Sequence, residues 1–111
     1  MNVTYHLVSK EYFESLDSGA DYIPAPYAKD GFIHCTDGPD EMAHVANLFY
    51  NSDPAPHLYL YIDKDRVRAP IRYEDPDHKY PHIYGPLNRD AIISIRPAGR
   101  DAAGHFLPPG E

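Results

Sequence analysis

One cysteine, Cys35, in a chain of 111 residues excludes an internal disulfide and any multi-cysteine zinc site, and it fits a reducing compartment. Basic residues are scarce. Ten Lys and Arg against seventeen Asp and Glu leave a formal charge of −7, which argues against a broad surface for a phosphate backbone while still allowing a small basic pocket. No apolar run nears membrane-spanning length, and no basic segment followed by an apolar one opens the chain, so the cytoplasm is the expected location. Also missing are a glycine-rich phosphate loop, a nucleophile elbow and a basic-aromatic stripe for nucleic acid. What remains is one domain over residues 1–111, expected to be monomeric, with a small-molecule partner and neither membrane nor nucleic acid.

Proline and tyrosine are abundant, at twelve and ten residues, and with weak helical periodicity they favour short strands and irregular connections. The most informative stretch is Gly31-Phe32-Ile33-His34-Cys35-Thr36, an apolar run broken by one histidine and introduced by the turn pair Asp30-Gly31. Strand alternation puts Phe32, His34 and Thr36 on one face and sends Ile33 and Cys35 to the core. Val3-Thr4-Tyr5-His6-Leu7-Val8 and Pro81-His82-Ile83-Tyr84-Gly85-Pro86 have the same character, each with a histidine in a strand-like apolar context.

The remaining elements follow from pattern. A helix begins after Ser9, its N-cap, with Tyr12, Phe13 and Leu16 as the apolar stripe, and residues 20–30 form an ordered loop. A second helix starts from Asp37 or Asp40 and buries Met42, Val45, Ala46 and Phe49. In the strand 57–62, Leu58, Leu60 and Ile62 point inward and Tyr59 and Tyr61 outward. Short strands are expected at 71–74 and 91–96, and the Pro- and Gly-rich tail 97–111 covers the core or frays. The sum is an α+β domain with small, mainly antiparallel sheets and two short helices.

Taken singly, each strand histidine reads as a core residue donating to a carbonyl. Their convergence points to a site, because a small sheet brings three separate apolar segments together. Tyr84 shares a face with His82, and Gly85 lets a ligand approach the backbone. Glu74 is either a base that also orients a sugar hydroxyl, or a solvated carboxylate paired with Arg72 or Lys79. Asn47 and Tyr50 border a pocket or simply pack, and His44 reads as helix surface. Cys35 and His34, adjacent on a strand, face opposite ways, which discounts a Cys-His nucleophile. Histidines with a carboxylate suit zinc or iron, but none is read as a helical metal motif, His78-Lys79-Tyr80-Pro81-His82 being interrupted by proline, and no metal ligand is assigned.

Tyr5-His6, Gly31 to Thr36, and Pro81-His82-Ile83-Tyr84-Gly85-Pro86-Leu87 with Asp90-Ala91-Ile92 resemble the signature of a small bacterial and plant family known as domain of unknown function 952. That family is grouped by fold with the ADP-ribosyltransferases and is most similar to the catalytic domain of RNA 2′-phosphotransferases. The resemblance matches Tyr5-His6 to the first-strand histidine of those enzymes and His34-Cys35-Thr36 to their His-hydrophobic-Ser/Thr segment. It implies that His6 hydrogen-bonds the adenosine-side ribose of NAD, that His34 and Thr36 line the nicotinamide-ribose pocket, and that Tyr50 or Tyr84 stacks on nicotinamide. Leu7-Val8 stands where the transferases have glycine and threonine, and no arginine flanks the histidine motifs to hold an RNA phosphate.

The leading expectation is therefore an ADP-ribosyltransferase-like protein that binds NAD or a related nucleotide and transfers or hydrolyses its ADP-ribose. His34, His82 and Glu74 are the candidate catalytic residues, and His6, Thr36, Tyr50, Tyr84 and Gly85 the candidate cofactor-binding ones. The alternatives are a non-catalytic nucleotide-binding module and a small metal-dependent enzyme using the histidine cluster.

Overall fold

The computed structural model describes residues 2–110. Strand β1 (Val3–Ser9) passes into helix α1 (Lys10–Ser15) through Ser9, whose side chain accepts the Tyr12 N–H at 3.0 Å as an N-cap. Helix α2 (Tyr27–Asp30) is a single turn closed by Gly31 in the left-handed region, φ 79°. Then come β2 (Ile33–His34), α3 (Pro39–Tyr50), β3 (His57–Asp63), β4 (Ile71–Tyr73), β5 (Pro81–Ile83) and β6 (Ile92–Pro97). Among the described residues these strands form two antiparallel three-stranded sheets, ordered β1-β3-β6 and β2-β5-β4. A bridge between Tyr5 and Thr36 couples them. The fold is α+β, with antiparallel sheets and few helices.

Strand β3 separates two apolar clusters. Leu58, Leu60 and Ile62 join Val8, Phe13, Tyr22, Ile33 and Ile83 on one side. Tyr59 and Tyr61 lie on the other with Met42, Ala46 and Phe106. The expected outward placement of both tyrosines is thus overturned, because the tail covers that face. Their hydroxyls donate to the carbonyls of Leu107 at 2.8 Å and Gly110 at 2.6 Å, so the rings are buried without leaving a polar atom unpaired.

Three further expectations change. Among the described residues there are three α-helices where two were expected, since α2 occupies part of the expected loop. Neither aspartate caps α3: Gly38 holds the N-cap position ahead of Pro39, while the Asp37 carboxylate accepts from Lys64 Nζ at 3.0 Å and the Tyr73 hydroxyl at 2.5 Å. Finally, Phe49 is 69% exposed. Helix α3 buries Met42, Ala43 and Ala46, while Phe49 lies off that buried face and lines two clefts.

Candidate functional site

In the second sheet Ile33 pairs with Ile83 and His34 with His82. Both isoleucines are fully buried, so strand alternation turns the two imidazoles to the opposite face. Their ring centroids lie 5.3 Å apart. Phe32 stacks on His82 at 4.0 Å and approaches His34 at 4.6 Å, which holds the pair as a small aromatic cluster.

Each imidazole has a carboxylate. His34 Nε2 is 3.0 Å from Asp30 Oδ2, and His82 Nδ1 is 3.0 Å from Glu74 Oε1, which also accepts the Tyr84 hydroxyl. A carboxylate only accepts, so these ring nitrogens donate. In the neutral form His34 Nδ1 and His82 Nε2 therefore keep lone pairs, and each dyad presents a base with its orienting carboxylate. The Tyr84 hydroxyl and then the His82 ring hold the Glu74 carboxyl below its ordinary range, which casts Glu74 as an orienter of its neighbours. Tyr84 is likewise occupied, with its ring 5.3 Å from Phe32 and beneath the Arg72 guanidinium.

His6 is a different case. Its Nδ1 lies 2.6 Å from the His34 carbonyl and its Nε2 2.7 Å from the Tyr22 hydroxyl. The carbonyl only accepts, so Nδ1 donates to it and Nε2 accepts from Tyr22. Burial lowers the pKa of His6 to about 4. The ring is neutral near pH 7, and both nitrogens are committed to protein partners that tie β1 to β2 and to Tyr22. A ribose hydroxyl would have to displace Tyr22 to reach it. Burial also pushes the Cys35 thiol well above its ordinary range, in keeping with an inert core cysteine.

Two clefts open around the cluster. The larger, about 640 Å³, lies between β1, the end of α3 and the segment through α2, and takes in His6, His34, Thr36 and Tyr50 with Phe32 and Phe49. The smaller, about 460 Å³, includes Glu74, His82 and His44. His34, Thr36, Val45 and Phe49 line both and form the wall between them. Of the expected residues, Tyr84 and Gly85 line neither cleft. Sequence reasoning missed Asp30, Asp53, His57 and the exposed Phe49. Asp30 meets His34 because Gly31, in the left-handed region, turns the chain between α2 and β2, and four-residue spacing into a strand gives no such signal in the sequence.

Gly85 has a structural reason of its own. At φ 155° its would-be Cβ falls 2.9 Å from the Ala69 Cβ, so the close approach served by this glycine is made by Ala69. Gly85→Ala is expected to cost about 1–3 kcal/mol through overpacking, read as a lowered urea midpoint at unchanged slope. A variant as stable as the parent would show that the β5 end shifts freely.

Among the described residues no group of three or more His, Cys, Asp or Glu side chains is placed to hold a metal ion, so the metal-dependent alternative has no ligand set there. Nor is any helix among them long and apolar enough to cross a membrane.

The family model described as "Protein of unknown function (DUF952)" matches residues 7–95. The chain belongs to this family. The matched span of DUF952 contains β2, β5 and both histidine dyads. The crystal structure of protein CC0527 from Caulobacter crescentus is similar, with a TM-score of 0.80 at 17% identity, covering 96% of this chain and 94% of that one. The solution NMR structure of the same protein has a TM-score of 0.74 at 19% identity, over 94% and 90% of the two chains. At these identities the likeness establishes a shared fold. No curated protein sequence matches the chain.

Proposed function

We propose that this DUF952 protein is ADP-ribosyltransferase-like, binds NAD or a related nucleotide in the larger cleft, and transfers or hydrolyses its ADP-ribose. One observation carries the reading: His34 lines both clefts and pairs with His82 of the smaller one, so a group held in one space is within reach of an acceptor held in the other. A cleft of about 640 Å³ also lies within the roughly 300–1,000 Å³ usual for small-molecule sites.

Separating a ribose carbon from nicotinamide calls for positioning and electrostatic complementarity more than for a strong nucleophile. In this reading His34 and Thr36 position the ribose and Tyr50 stacks on the leaving ring. His82, held by Glu74, takes the proton of the acceptor hydroxyl or water on Nε2 and returns it to solvent.

Metal-stripped protein titrated in parallel with NAD, ADP-ribose and zinc tests the reading. Saturation at a hundred times Kd adds about 2.7 kcal/mol, or roughly ten degrees in Tm for a domain of this size. His34→Ala is expected to weaken NAD binding by roughly tenfold in calorimetry, the scale of one lost hydrogen-bonding ring. Unchanged affinity would remove His34 from the site. Binding without release of nicotinamide would favour the non-catalytic module.

A further inference from the structure

The charge of the two clefts is one-sided. Among the described residues neither lining contains a lysine or arginine, while Asp30 and Asp53 stand in the larger cleft and Glu74 and Asp75 in the smaller. A pyrophosphate placed there would meet carboxylates and no permanent cation. The whole chain, at −7, repels an anion further.

Aromatic faces accompany those carboxylates. Phe49 and Tyr50 line the larger cleft at 69% and 42% exposure, and Phe32, stacked on His82, lines it too. The side chains of Asp30 and Asp53 keep 30% and 47% of their surface open. A π-face carries negative potential, and aromatic rings flanked by carboxylates attract flat cations while giving little to a phosphate.

We propose that the larger cleft selects a planar organic cation of the N-substituted pyridinium class, with any phosphate of the ligand left in solvent. This rests on the nucleotide reading above only for the identity of the ring. NAD carries such a cation at its nicotinamide end, whereas in NADH the same ring is neutral. The selectivity then comes from Tyr50, Phe49 and Asp53 and does not involve a phosphate-binding loop.

Calorimetry on the full chain with NAD, NADH, nicotinamide riboside, 1-methylnicotinamide and ADP-ribose is the test. NAD is expected to bind at least roughly tenfold tighter than NADH, the scale of one cation–π contact with a screened carboxylate. Nicotinamide riboside should come within about threefold of NAD, because its missing phosphates contribute little, and ADP-ribose should bind much more weakly. Asp53→Asn, which keeps an oxygen for the Ala55 N–H, and Tyr50→Leu should each lower the NAD:NADH ratio severalfold. Equal binding of NAD, NADH and ADP-ribose would overturn the cation selection and leave the nucleotide reading standing. Binding of 1-methylnicotinamide without NAD would uphold the cation selection and sink the nucleotide reading. Binding of none of the five would end both.

Discussion

Acidification from pH 7 to pH 4 is expected to cost this domain on the order of 3 kcal/mol through His6 alone. The pKa of its ring falls from 6.5 in the unfolded chain to about 4 in the fold, chiefly because burial disfavours the imidazolium. Between those values the unfolded chain binds the proton and the folded one does not, so stability rises with pH across that window and is lost on acidification. Each tenfold difference in proton affinity is worth about 1.4 kcal/mol. Protonation also forces Nε2 to donate, and it then meets a Tyr22 hydroxyl that was donating to it. Urea unfolding of the parent and of His6→Gln at pH 7 and pH 4 measures the effect. The variant is expected to start less stable and to lose about 3 kcal/mol less. Asp75 and Asp101, held down by backbone N–H groups, and Asp90, held down by Asn88, lose their contributions only as pH falls below the ordinary carboxylate range. That loss is common to both proteins and cancels in the difference. Parallel pH profiles would mean that His6 is not held neutral.

Ile83→Ala is expected to destabilise the protein by about 2–5 kcal/mol, the range for deleting buried methyl groups when the surroundings only partly relax. Ile83 is fully buried at the centre of the second sheet, opposite Ile33 on one side and Ile71 on the other, so a cavity there touches all three strands. The neighbouring His82 faces the other way and stacks on Phe32, and His82→Ala should cost less than about 1.5 kcal/mol. Chemical denaturation of the two variants separates the faces. Equal losses would mean that the histidine face carries as much packing as the core face.

Local pattern was legible wherever a single rule decided the outcome. Ser9 caps α1 because a hydroxyl ahead of an apolar stripe satisfies a free N–H, and that needs no distant partner. The alternation through Ile33 and Ile83 announced two core residues, and the same alternation turned His34 and His82 to one face. The outcomes that differed all depended on chain far away in sequence. Tyr59 and Tyr61 looked solvent-facing until the tail supplied the carbonyls of Leu107 and Gly110, forty-eight and forty-nine residues on. Phe49 matched the stripe of α3, but a helical period does not say which of its residues the rest of the fold covers.

The site divides in the same way. The sequence by itself determined which strands carry histidines, the family, and the scarcity of lysine and arginine that colours both clefts. Only the tertiary structure decided that His6 is a neutral core residue spent on Tyr22 and the His34 carbonyl, whereas His34 and His82 each set one ring nitrogen against a carboxylate on the other face of their sheet. Residue type and spacing are properties of one segment. The partner that takes each ring nitrogen comes from another, and hydrogen bonding is settled by which groups the fold brings within 3 Å of each other.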